Sequence, residues 1–377
     1  MPLPLQTRIL DSLASVDPAQ WDALAGDSPF LRHGFLHALH ETGCACEERG
    51  WSPRFVTLWD AKRLAAAMPL YLKSHSYGEY VFDWGWAEAY HRHGLDYYPK
   101  LLCAVPFTPA AGPRLLAPTA ELRQRLLRAA LELAKELSVS SLHLLFPPAE
   151  QAAELESAGL MLRTGVQFHW QNPGYRDFDD FLSGMTHDKR KKIKQERRRV
   201  RDAGIEFHWL DGRQAAPEHW EFFTLCYNRT YRQHHSTPYL NRAFFRRLAQ
   251  SLPENVLLII ASQQGRPVAA VLNVHNGHTL WGRYWGATRF VTGLHFEACY
   301  YQSIEFCIAR SVRLFEGGAQ GEHKLARGLL PVATYSGHWL AHPQFRLAVD
   351  QFLDREGRGI SVYLDELNEH SPFKTAL

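Results

Sequence analysis

The sequence predicts a two-domain α/β (α+β) fold, each domain a mixed, mostly antiparallel sheet flanked by helices. Three observations carry that expectation. The chain has 377 residues, more than one hydrophobic core usually organises. Strand-sized apolar runs alternate with segments whose apolar residues recur at helical spacing. The two halves also repeat one order: helices, two or three antiparallel strands, a helix, a buried strand and a helix. With 46% hydrophobic and 12% aromatic residues the cores are well supplied, and some aromatic rings are expected to line a ligand groove.

In the first half, residues 17–25 and 31–42 read as short helices, with Phe35, Leu36 and Leu39 sharing a face. Residues 55–59 and 64–72 read as a hairpin turning at 60–63. An aromatic stretch, 77–100, leads into a strand at 101–105. Thr119 is a suitable N-cap for a helix to about 137. A buried strand at 142–146, a helix at 149–158 and a strand at 161–170 follow. Asn172-Pro173-Gly174 then punctuates the chain, and the domains are cut there, as 1–172 and 173–377.

In the second half, residues 178–203 read as one helix and 206–210 as a strand. Helices at 218–233 and 241–251 precede strands at 256–262 and 268–275, joined at Gln264-Gly265. A third strand at 279–285, a helix from 295 to about 310, a strand at 313–316 and a closing helix near 344–355 complete the expectation.

Several function classes are set aside by bulk properties. The 42 Lys+Arg against 39 Asp+Glu leave a net charge of +3, too small for a global argument for nucleic acid. The longest apolar runs are strand-sized, so no membrane span is expected. Residues 1–10 lack an apolar signal core, and six cysteines in this length make no disulfide framework. Together these predict a cytoplasmic protein. Cys44 and Cys46 have no second ligand pair at zinc spacing, and no metal site is expected.

One segment departs from the balanced average. Nine of the thirteen residues 189–201 are basic: Lys189, Arg190, Lys191, Lys192, Lys194, Arg197, Arg198, Arg199 and Arg201, against Glu196 as the one acid. A solvated helix usually mixes signs, so the run asks for an anionic partner: tRNA, the phosphates of CoA, or an acidic surface of the protein itself.

Ordered blocks from about residue 30 to 345 carry a resemblance. They include Gly78-Glu79-Tyr80-Val81-Phe82-Asp83-Trp84, Gly94-Leu95-Asp96-Tyr97-Tyr98-Pro99-Lys100, Glu297-Ala298-Cys299-Tyr300-Tyr301, Phe315 through Gly328, and Thr334-Tyr335-Ser336-Gly337-His338. With these the chain resembles the FemAB-like predicted N-acyltransferases, a bacterial family tied to peptidoglycan biosynthesis within the acetyltransferase (GNAT) superfamily. The resemblance implies tandem acetyltransferase-like domains. It also implies transfer of an acyl or aminoacyl group from acyl-CoA or aminoacyl-tRNA, as donor substrate, to a small-molecule amine acceptor. The stretch equivalent to the acetyltransferase phosphate loop, Arg289 to His295, has one glycine and altered spacing.

Acyl transfer to an amine needs a proton acceptor, donors for the tetrahedral oxyanion and stabilisation of the leaving group. The stretch 316–328 offers all three. Gly317, Gly318, Gly321 and Gly328 let backbone N–H groups approach an anion. Glu322, His323 or, further on, His338 can accept the amine proton, and Lys324 and Arg327 can hold a phosphate or carboxylate. Tyr300 and Tyr301 fall in the first turns of the helix from 295, where one of them can protonate a thiolate. Alternation puts Arg283 and Trp285 on one strand face toward a donor groove. Asp83, Trp84, Tyr98 and Lys100 read as the wall of an acceptor groove. The rival readings are a non-catalytic RNA-binding protein using residues 189–201, and an envelope-assembly scaffold.

Overall fold

Thr119 opens the helix Ala120–Glu136 by accepting the Leu122 N–H at its hydroxyl, 3.3 Å. Leu126, Leu127, Ala130, Leu133 and Ala134 then fall on one buried stripe. The stripe packs with Val56, Met68, Leu101, Leu142 and Leu144 of the neighbouring strands. The computed structural model describes residues 5–318 and 321–374.

The described residues gather into two units, each made from two stretches of chain: up to residue 165 with 333–362, and 166–332 with the chain from 363 on. The single cut expected near 172 is replaced by three crossings, inside the strands Met161–Gln171 and Leu330–Leu340 and inside the helix Pro343–Glu369. Asn172-Pro173-Gly174 is a local turn instead, with the Gly174 and Tyr175 N–H groups donating to Asn172 Oδ1 at 3.0 and 2.9 Å. The crossings have no such punctuation, because a strand or helix that changes core partners needs no loop.

In the first unit, five strands stand in the order Trp51–Pro53, Leu70–Lys73, Lys100–Cys103, Ser141–Leu145, Leu330–Leu340. Only Lys100–Cys103 and Ser141–Leu145 are parallel. A separate sheet joins Gln6–Leu10, Phe55–Asp60 and Arg63–Met68. The aromatic stretch contains an unanticipated helix, Trp84–Arg92. The strand Leu330–Leu340 was also unanticipated, and the closing helix runs further than expected, Pro343–Glu369.

In the second unit the order is Met161–Gln171, Leu314–Glu316, Thr279–Ala287, Arg266–His275, Val256–Gln263, Ile205–Leu210. The helix Pro217–Gln233 lies directly on this sheet: a Cβ at Gly286 would stand 2.2 Å from the Cys226 carbonyl oxygen. The one helix expected over 178–203 is two, Phe178–Ser183 and His187–Asp202. The break is filled by the end of the chain: Thr186 N–H donates to Pro372 O, and Lys374 N–H to Gly184 O, both at 2.9 Å. That long-range pairing has no local signal. Among the described residues no helix is long and apolar enough to cross a membrane.

Candidate active site

The site of interest begins where two parallel strands part. Leu314–Glu316 pairs with Thr279–Ala287 only from Thr279↔Leu314 to Trp281↔Glu316. The longer strand runs on to Ala287, so from Gly282 its edge has, among the described residues, no strand partner on that side. Such an edge presents backbone donors and acceptors at fixed spacing to an extended ligand. On its other side the pairing passes from Leu272↔Tyr284 to Asn273↔Gly282, which makes Arg283 the extra residue of a bulge.

The bulge overturns one expectation. Arg283 lies with Tyr284, its guanidinium 5.0 Å over that ring. Tyr284 packs on Tyr227 and Phe245, whereas the Trp285 ring packs on His295 at 5.1 Å. Arg283 and Trp285 therefore point to opposite faces. Strict alternation put them together, and the inserted residue resets it.

The chain leaves the sheet at Gly317, where a Cβ would stand 2.4 Å from Leu329 Cδ2 and force that buried side chain to move. Gly318 and Gly321 have positive φ, and Glu322–Arg327 is a short 3₁₀ turn. Ala319 and Gln320 of the same motif lie outside the described residues. The buried Lys324 ties the two ends of the loop together, its Nζ donating to Gly318 O at 3.0 Å. Burial lowers its pKa to about 8. Burial, and then the Lys324 ammonium, lower the pKa of nearby His169 to about 4.

His323 Nε2 lies 3.0 Å from the Tyr300 hydroxyl. Partial burial first, then Lys324 and Arg327, hold His323 below its ordinary pKa, so the ring is neutral at pH 7. Tyr300 and Tyr301 come from a π-helical turn, Glu297–Tyr301, inside the helix expected from 295. Tyr301 donates to Glu196, the lone acid of the basic run. Glu196 in turn accepts from Arg327 at 3.1 Å through both oxygens. Arg327 also donates to His323 O at 2.7 Å and stacks 3.4 Å from the Phe296 ring centre. Arg327 thus shapes the loop from within. Glu322 sits on the exposed side, accepting from the Tyr363 hydroxyl at 2.6 Å.

Of the basic run, Arg197 is committed to the interior, paired with Glu297 and Glu305 at 3.1 and 3.0 Å. Burial works against its charge, but the two carboxylates outweigh that and hold its pKa above the usual value. Lys189 and Arg190 are half-buried, whereas Lys191, Lys192 and Arg198 are exposed. Arg190, Lys191, Lys194, Arg198 and Arg201 line a groove of about 1030 Å³.

The remaining sequence-predicted residues lie in the first unit, and most are not surface walls. Asp83 and Lys100 are buried and paired to each other. Lys100 also donates to Glu79 at 2.8 Å and to Ser76 at 2.7 Å, and Tyr97 donates to Asp83 at 2.6 Å. Burial pushes Glu79 up to about 7 and Lys73 down to about 7. Burial alone would raise Asp83, but the Lys100 ammonium, with a smaller contribution from His143, holds it well below the carboxylate range. His338 belongs here, not with the loop: its Nδ1 lies 2.8 Å from His143 Nδ1 and its Nε2 2.8 Å from Ser336 Oγ. Tyr98 is half-buried against Ser76, and Trp84 alone of this group is exposed, its ring 5.0 Å from that of Tyr77. Among the described residues no group of three or more His, Cys, Asp or Glu side chains is arranged to hold a metal ion.

Reading single residues missed Glu196, His169, Glu79, Lys73 and His143. Glu196 had a signal, as the one acid in a run of cations; His169, Lys73 and His143 stand alone in sequence, and Glu79 meets Lys73 and Lys100 only in the fold.

The sequence matches the FemAB-like family, described as peptidoglycan biosynthesis/recognition, over residues 12–375. Among solved structures, FemX aligns with a TM-score of 0.56 at 9% identity, over 92% of this chain and 100% of its own. L-PGS from Bacillus licheniformis aligns with 0.54 at 11%, over 89% of this chain and 97% of its own. A tandem GNAT protein from the clavulanic acid biosynthesis pathway aligns with 0.47 at 12%, over 90% and 99%. At these identities the likeness is one of fold. No curated protein matches the chain.

Proposed function

The chain belongs to the FemAB-like family, and on that premise we propose that it transfers an acyl or aminoacyl group to an amine acceptor. The donor is an acyl-CoA or an aminoacyl-tRNA, and the loop 316–328 is the reaction centre. One observation carries the reading: a buried lysine, a neutral histidine–tyrosine pair and a glycine turn stand together where the strand edge opens.

In the proposed step the amine nitrogen attacks the donor carbonyl carbon and a C–N bond forms. With the His323 Nε2–H donating to Tyr300, Nδ1 is left to accept the amine proton. The Lys324 ammonium and loop N–H groups stabilise the oxyanion. Its collapse breaks the C–O bond to the tRNA ribose, or the C–S bond to CoA. The leaving oxygen or sulfur takes its proton from Lys324, whose pKa of about 8 makes the transfer easy.

The pH window follows in sign. His323 must be neutral, which requires a pH above its depressed pKa. Lys324 must be protonated, which requires a pH below about 8. The test is transfer of label from aminoacyl-tRNA or acyl-CoA to a peptidoglycan-precursor amine by the full chain. We expect one donor to be used, Lys324→Met to lower kcat by roughly 100-fold or more, and His323→Gln to abolish the acidic limb of the pH profile. Transfer that is absent with both donors, or unchanged in both variants, overturns the reading.

A further inference from the structure

Phe290 is 94% exposed, against 60% for the next most exposed large hydrophobic residue, Leu347. The loop that carries it is well anchored. Val291 and Leu294 pack with Val200 in a small core cluster. Gly293, at φ +84°, lies against the helix His187–Asp202, 3.5 Å from Val200 Cγ2 by its Cβ direction. Arg289 donates to Gln263 at 3.0 Å, and Gln263 donates to the Ala203 carbonyl at that helix's end at 2.8 Å. The ring is therefore held out in water by ordered neighbours.

Four cations lie on the segments that these bridges join. Arg289 flanks Phe290, Arg266 begins the strand paired to Gln263, and Arg199 and Arg201 come from the last turn of the helix. Among the described residues none of the four has a carboxylate within salt-bridge distance; Asp202 and Glu206 are the exposed acids nearby in sequence. Arginines without an acidic partner on neighbouring segments call for an anionic one. A lone projecting ring is of little use to a phosphate backbone, and single-strand binding uses a series of stacking platforms. A ring among cations suits the headgroup–acyl boundary of an anionic bilayer, where it buries while the arginines meet lipid phosphates.

We propose that this tip, Phe290 with Arg199, Arg201, Arg266 and Arg289, docks the protein peripherally on an anionic lipid surface.

The experiment is flotation of the full chain with phosphatidylcholine vesicles, with and without about a third phosphatidylglycerol, at low and moderate salt. A tRNA and a single-stranded RNA are run in parallel by filter binding. We expect flotation with the anionic vesicles alone, weakening as salt rises. Phe290→Ala should lower partitioning by roughly tenfold or more, Phe290→Trp should retain it, and Arg289→Glu should lower it by at least fivefold. The melting temperature without vesicles should be the same for both Phe290 variants, since that side chain projects from the surface. No flotation with anionic vesicles overturns the proposal, as does flotation indifferent to Phe290→Ala. RNA binding that depends on Phe290, without flotation, assigns the tip to nucleic acid instead.

Discussion

Two regions of this molecule concentrate charge, and they handle it in opposite ways. In the first unit Lys73, Glu79, Asp83 and Lys100 are all buried, and the cations and carboxylates are matched within one cluster. In the second, the helix His187–Asp202 commits Arg197 and Glu196 to internal partners and leaves most of its other cations in solvent. The loop at 316–328 lies between these extremes, with a buried Lys324 whose one acceptor among the described residues is a neutral carbonyl. A charge matched in the interior is structural, because removing one partner strands the other. A charge left unmatched is available to a ligand.

The largest expected effect breaks the first region. Lys100→Met leaves Glu79 and Asp83 buried without their main partner and should cost about 3–5 kcal/mol in urea unfolding. If it costs no more than Lys191→Met on the exposed helix, the contrast between the regions is false. Lys324→Met should separate stability from activity. It removes the burden of burying an ammonium, so stability should hold or rise while transfer falls by roughly 100-fold, about 2.7 kcal/mol. A parallel loss of both would make Lys324 a structural residue.

Acid should act through the first unit. Burial lowers His143 to about 3 and His338 well below its ordinary value, and each also feels the other or a nearby cation. A folded pKa below the unfolded 6.5 means the unfolded chain takes the proton first. Each histidine therefore withdraws about 1.4 kcal/mol per pH unit as pH falls below about 6.5. Asp83, with its depressed pKa, withdraws stability only below about pH 4. Unfolding free energies at pH 7, 6 and 5 check this, and a flat profile would require the imidazoles to be hydrated. The smallest effect belongs to the exposed helix: Lys191→Met should shift stability by no more than about 0.5 kcal/mol.

How much was legible depended on distance along the chain. The cap at Thr119 and the turn at Gln264-Gly265 stand as local chemistry predicts. The mixed α/β class was legible too, through the order of elements, and the family through its motifs. The bulge at Arg283 was not, since only the register against Arg266–His275 reveals it. Nor was the break at Gly184, which the distant residues 372–374 complete. The basic run was visible at once, but which of its members turn inward was decided by Glu297 and Glu305 across the fold.

By itself the sequence determined the local elements and the supply of glycine, histidine, lysine and tyrosine in one loop, because caps, turns and periodicity act within a few residues. Tertiary structure decided where each charge ended up. Lys100 and Lys324 are both lysines in family motifs, yet one is closed into a matched cluster and the other is poised near neutrality at an opening in a sheet. Burial and partners set that difference, and both come from segments far apart in the chain.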